Sequence, residues 1–347
     1  MPAVTQSIPK AVIFGCSGLT LTAEETAFFA DSNPLGFILF ARNCKSPGQV
    51  ASLVQALRAS VGRDDAPVMI DQEGGRVQRL GPPHWKKRPA QGMFAKIAGE
   101  DLSVAVEAAR LNAQLIAEDL IALGIDVNCL PLLDVPVPGA HDIIGNRAFG
   151  NDPELIATLG AAVIEGLALG GVMPVIKHIP GHGRSMADSH LSLPRVDASI
   201  DDLRKTDFAP FKNLNGAPWG MTAHIVYEAL DAEQPATLSK TVISDVIRDE
   251  IGLQGFLVSD DVNMKALTGS IAENSIRALD AGCDAVLHCN GELNEMITVA
   301  AELPELDAKA LERLKKAKSH QPAKSDVDVD ALEVMFDRVT AKWRNWA

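Results

Sequence analysis

Residues 177–190 (KHIPGHGRSMADSH) hold three of the chain's eight histidines, with one lysine, one arginine and one aspartate. Pro180, Gly181 and Gly183 interrupt them, so the segment after His178 is neither a regular helix nor a central strand. The preceding VMPVI (172–176) reads as a buried strand. A strand therefore ends in Lys177-His178 and opens into a glycine- and histidine-rich loop, the kind of segment that carries function on a rigid scaffold. Further on stands Asp188-Ser189-His190. In extended chain, residues two apart point the same way. Asp188 can thus fix the His190 tautomer and leave the other ring nitrogen for proton transfer. Two other chemistries compete for this stretch. His178, His182 and His190 offer nitrogens to a metal, although the HxxxH spacing crosses Pro180-Gly181 and is not the helical pair of a zinc protease. Lys177 could form a Schiff base, which nothing else in the sequence asks for.

Two further stretches carry suitable groups. DQEGGRVQR (71–79) joins an aspartate to arginines across a double glycine, so Arg79 can return toward Asp71. Aspartate and arginine together suit vicinal hydroxyls or a carboxylate. A glycine-bounded loop at 144–152 brings Arg147. SDDVNM (259–264) ends another apolar run, with Asp260 deeper in the strand and Asp261 placed as the cap of a following helix.

These groups need a frame. Apolar runs at 11–16, 36–40, 67–71, 126–130, 174–178, 220–224, 256–260 and 285–289 alternate with helical patterns at 23–30, 47–61, 102–123, 153–169, 200–213, 239–250, 271–281 and 291–302. The runs are continuous rather than alternating, as strands buried on both faces require. Eight such units predict an α/β fold, a single (β/α)₈ TIM-type barrel over residues 1–302. Residues 303–347 are expected to add a C-terminal helical extension, with helices at 308–318 and 328–343, packed on the barrel. Asp71, Asn128, Lys177-His178, His224 and Asp260-Asp261 all fall where strands end, the face on which such barrels build their sites.

Composition narrows the class. The chain has 347 residues, 47% apolar and 22% charged, with a net charge of −13. No basic stripe marks a nucleic-acid partner. The five cysteines include no C-x-x-C pair and predict no disulfide framework. No apolar run approaches the roughly 18–20 residues of a membrane helix, and residues 11–16 read as a first strand rather than a signal. A cytoplasmic monomer is the expectation.

The set DQEGGRVQR, KHIPGHG (177–183), DSH (188–190) and SDDVNM, with LFARN (39–43), PLLDV (131–135) and DFAPF (207–211), resembles glycoside hydrolase family 3. Within it the chain is similar to the bacterial β-N-acetylhexosaminidases of peptidoglycan recycling, over roughly residues 10–300. The resemblance implies retaining removal of terminal β-linked N-acetylglucosamine from N-acetylglucosaminyl-anhydro-N-acetylmuramic acid and its peptides. It implies Asp260 as nucleophile and His190, oriented by Asp188, as acid/base. Asp71, Arg79, Arg147, Lys177 and His178 would hold the sugar. No metal or organic cofactor is implied, and the partner is a small muropeptide or amino sugar. A phosphorylase of the same family and a metal-dependent barrel hydrolase are the alternatives. His288 departs from the pattern, standing where an apolar residue is expected.

Overall fold

A computed structural model describes residues 7–186, 193–264, 266–319, 324 and 326–343. Eight strands build its barrel: β1 (Lys10–Phe14), β2 (Pro34–Leu39), β3 (Val68–Ile70), β4 (Val127–Asn128), β5 (Met173–Ile179), β6 (Trp219–Thr222), β7 (Phe256–Asp261) and β8 (Ala285–His288). Each pairs in parallel with the next, and β8 pairs with β1, so the sheet closes into the expected barrel.

The strands' two-residue period sorts their side chains. Ile13, Met69, Val127, Val175, Met221, Val258 and Leu287 share one apolar cluster inside the barrel. The alternate residues Val12, Phe37, Val68, Ile176, Leu257 and Val286 belong to the cluster beneath the helices. One further inward step along β3, β5 and β7 brings Asp71, Lys177 and Asp260 to the rim where the strands end. The pairing shifts register between Ile176 and Ile179 and again between Val258 and Asp261. Strict alternation breaks there, and consecutive residues at these two strand ends face the same space.

The surrounding helices are α1 (Ala23–Ser32), α2 (Pro47–Ser60), α3 (Gly92–Ala98), α4 (Leu102–Ile121), α5 (Pro153–Leu169), α6 (Ile200–Lys205), α7 (Ala209–Asn213), α8 (Ile271–Ala281), α9 (Leu293–Glu302), α10 (Ala308–Ser319) and α11 (Val329–Val339). Their starts follow local chemistry. Asp152 caps α5 with Pro153 in the first turn, and Ser199 caps α6 through the Asp202 amide. α4 and α5 meet closely because Gly166 leaves room: a Cβ there would stand 2.2 Å from the Arg110 carbonyl oxygen.

Some boundaries differ from the sequence reading. The single helix expected over 200–213 is two, because Pro210 cannot continue a helix from the preceding turn. The fourth strand shortens to Val127–Asn128 ahead of Pro131. The helix expected over 239–250 is present, and from Val242 to Glu250 it is of π type. No helix follows Asp261 directly; its carboxyl accepts the Asn263 amide at 3.1 Å in a turn, and Ser270 caps the helix that follows. α3 and a small hairpin, Gln72–Gly74 with Val77–Gln78, were not anticipated.

Beyond residue 302 the chain packs at two places. Leu306, Ala310, Leu314 and Ala317 join the barrel's inner cluster. The Leu306 amide bonds Pro9 and Arg313 reaches Asp284 at 2.6 Å, so α10 stoppers the end at which the strands begin. α11 lies along α4, burying Leu332 and Phe336.

Candidate active site

At the opposite end, where the strands finish, lies a cavity of about 430 Å³. Charged side chains from separate strands converge on it. The Lys177 ammonium, 2% exposed, stands 2.9 Å from Asp71 and 2.7 Å from Glu73. Arg79 closes on the other Asp71 oxygen at 3.2 Å. Arg147 grips both Glu73 oxygens at 2.8 Å, a bidentate pair. Burial alone would push both carboxyls up, but Lys177 with Arg79 holds Asp71 well below the usual range, and Lys177 with Arg147 holds Glu73 down. Burial would lower Lys177, yet the two acids raise it above an ordinary lysine. All five groups therefore stay charged and mutually fixed.

The hairpin carrying Glu73 and leading to Arg79 owes its shape to Gly74 and Gly75, at φ +93 and +57. A Cβ on Gly74 would also meet the Pro89 carbonyl oxygen at 2.2 Å. Asn128, anticipated as a polar strand end of the site, instead holds this hairpin: its amide exchanges two 3.0 Å bonds with the Gln72 backbone.

His178 lines the cavity with its ring fixed from behind. Its Nδ1 is 2.9 Å from Asp134, which is fully buried and also accepts the backbone amides of His178 (3.1 Å) and His182 (2.6 Å). Burial opposes ionisation of Asp134, but His178 and these amides draw its pKa down to about 2. The carboxylate is thus an acceptor, Nδ1 carries the proton, and Nε2 is the nitrogen left for a ligand. His182, its ring 5.4 Å from that of His178, is lowered to about 4 by burial and by His178, so it is neutral near pH 7.

Asp260 lines the same cavity. Enclosure raises its pKa, but His224, His178, the Asp261 amide at 2.8 Å and Lys177 outweigh it and bring the carboxyl below its ordinary value. Its neighbour behaves oppositely: burial lifts Asp261 to about 6, with Asp260 adding to the rise. His224 donates from Nε2 to the Asp261 carbonyl at 3.0 Å and meets Thr237 at 2.7 Å through Nδ1. The site therefore offers an ionised carboxylate beside a rigid array that binds hydroxyls and amides, and this can support displacement at a sugar carbon.

Asp71, Arg79, Arg147, Lys177, His178 and Asp260 all border this cavity. Asp188 and His190 lie outside the described residues. The stem leading toward them is tied down at Gly181, Arg184 and Ser185. Arg184 reaches Asp207 at 2.6 Å, Tyr227 donates to the Gly181 carbonyl, and the His141 amide bonds Ser185 at 2.8 Å. Glu73 and Asp134 are site residues that the sequence reading does not single out, although they stand in DQEGGRVQR and PLLDV. Glu73 is two residues from Asp71, and Asp134 is the one charge in an otherwise apolar PLLDV. His288 turns outward: it is buried edge-on against Phe14, with Nε2 3.3 Å from Glu295 on α9. Among the described residues no cluster of three or more potential metal ligands occurs.

The sequence pattern of the glycosyl hydrolase family 3 N-terminal domain matches residues 11–320. The β-hexosaminidase of Alkalilimnicola ehrlichii is 38% identical over 80% of each chain. That of Pseudomonas aeruginosa is 35% identical over 91% of this chain and 93% of its own. Among solved structures, NagZ from Neisseria gonorrhoeae in complex with N-trifluoroacetyl-D-glucosamine superposes with a TM-score of 0.84, at 31% identity and covering 98% of both chains.

Proposed function

For this chain, which belongs to glycosyl hydrolase family 3 and is a β-hexosaminidase, we propose a retaining mechanism acting on terminal β-linked N-acetylglucosamine. Asp260 attacks the anomeric carbon while the bond to the leaving oxygen breaks, giving a glycosyl ester. His190, oriented by Asp188, supplies the proton to that oxygen. It then takes one from water, whose oxygen displaces Asp260 and restores the carboxylate. Asp71, Arg79, Lys177, His178 and Arg147 hold the sugar and its acetamido group. The observation that carries the reading is Asp260: a cavity-lining carboxylate kept below its ordinary pKa by His224, His178 and Lys177 despite enclosure. A nucleophile must be ionised, and this one is.

The substrate we assign is N-acetylglucosaminyl-anhydro-N-acetylmuramic acid, with or without peptide, in cell-wall recycling. The chain's motifs support it, as does its likeness to a protein whose complex holds an N-acylated glucosamine. Among the described residues no helix is long and apolar enough to cross a membrane. The proposed action is on soluble fragments in the cytoplasm, by a monomer without a cofactor. The test is turnover of an aryl N-acetyl-β-glucosaminide and of muropeptides by Asp260→Ala. Loss of at least about 10⁴ in kcat is expected for a missing nucleophile. Near-full activity would remove Asp260 from that role.

A further inference from the structure

The hairpin that carries Glu73 and leads to Arg79 is held from outside the barrel. The Gly75 amide donates to the Arg88 carbonyl at 2.8 Å, and the Arg88 amide donates to the Gln78 side chain at 2.9 Å. Gln78 in turn donates to the Lys86 carbonyl at 2.8 Å. Residues 86–88 are thus the backing against which the hairpin is laid. Their own position is set by the Arg88 guanidinium, only 4% exposed, which meets Asp119 on α4 at 3.3 Å and Glu333 on α11 at 2.8 Å. Glu333 also takes Lys86 at 3.2 Å. α11 lies beyond residue 320, where the family match ends.

We propose that Glu333 of α11 is a positioning residue for the sugar site: through Arg88 and Lys86 it fixes the backing of the hairpin and hence Glu73 and Arg79. A cation buried to this degree demands its partners. If Glu333 is neutralised, Arg88 keeps a single ion pair, the longer one to Asp119, and only a neutral hydrogen bond at position 333, so it is held less firmly. The backbone it carries moves with it, because Arg88 contributes both its amide and its carbonyl to the hairpin. The bond network of the sugar-holding acids then loses its register, while Asp260, on the far strand β7, is untouched. The sugar is gripped in ground state and transition state alike, so the effect falls on binding rather than on the chemical step.

This inference rests on the reading of the hairpin as sugar-holding, and the experiment separates the two. Glu333→Gln, Arg88→Lys and Lys324→Ala are made in the full chain. Lys324 pairs with Glu118 at 2.7 Å, so its loss loosens the C-terminal packing without touching Arg88. On an aryl N-acetyl-β-glucosaminide, Glu333→Gln should raise KM on the order of tenfold with kcat within about twofold, and Arg88→Lys should do the same. Lys324→Ala should leave KM unchanged even where it lowers Tm. Free N-acetylglucosamine should bind Glu333→Gln more weakly by the same factor in calorimetry. An unchanged KM in Glu333→Gln overturns the proposal. So does an equal rise in Lys324→Ala, which would make the effect general loosening. An inactive wild-type chain would instead strike at the assigned function, whatever the variants do.

Discussion

Lys177→Met tests the charge array most directly. The wild-type ammonium is 2% exposed and bridges two buried acids at 2.9 and 2.7 Å. Removing one partner of a buried pair costs about 3–5 kcal/mol. Here Arg79 still neutralises Asp71 and Arg147 still neutralises Glu73, which places the loss near the lower bound, about 3 kcal/mol. That is a substantial part of the roughly 5–15 kcal/mol by which domains are stable, yet the variant should fold. The pH dependence carries a definite sign. In the wild type both acids are held below their ordinary pKa, so their contribution is full above the unfolded values, about 3.9–4.3, and is lost only as pH falls through the folded ones. Without Lys177 each acid loses its stronger cationic neighbour, so burial, opposed only by Arg79 or Arg147, moves its pKa up. The difference between variant and wild type is therefore largest at pH 7.5 and shrinks on going to pH 5. Urea melts at the two pH values measure it. A loss under about 1 kcal/mol at pH 7.5, or one unchanged at pH 5, would refute the account of Lys177 as the neutralising centre.

Asp134→Asn keeps the shape behind His178 but can present an N–H to Nδ1. The ring then loses its fixed tautomer, and kcat/KM should fall by about 10²; a loss under threefold would show that the tautomer does not matter. Gly74→Ala meets both a φ of +93 and the Pro89 carbonyl at 2.2 Å, so it should lose about 1–3 kcal/mol in urea melts and raise KM. His288→Leu should leave kcat/KM unchanged. Because burial lowers the wild-type imidazole's pKa, stability is lost as pH falls through the unfolded value near 6.5. The leucine variant should lose less between pH 7 and pH 5, and an equal loss would count against the buried, neutral His288.

The barrel was legible because its strands are continuous apolar runs, and the site residues were legible because a charge after such a run has nowhere to go but the rim. Asp71, Lys177 and Asp260 follow from their places at the ends of those runs. What sequence could not give is which polar residues face each other across strands. Glu73 meets Lys177 across a separation of over a hundred positions, and Asp134 meets His178 from a neighbouring strand's exit. Asn128 shows the converse: a polar strand end spent on holding a backbone. Helix starts were legible where a cap stood alone, as at Asp152. They were not where a proline such as Pro210 split a run whose periodicity continued through it.

The inner apolar cluster, capped from below by Leu306, Ala310, Leu314 and Ala317, closes the floor of the cavity and makes it a vessel with one opening. In a vessel of that kind, whatever enters first leaves last. On the proposed reading, a sugar seated on Asp71 and Lys177 sits below its aglycone, which must depart before water can arrive and before the sugar itself can go. Traffic is thereby ordered by architecture: free sugar competes with substrate for the empty vessel, while the departing aglycone meets an enzyme still occupied.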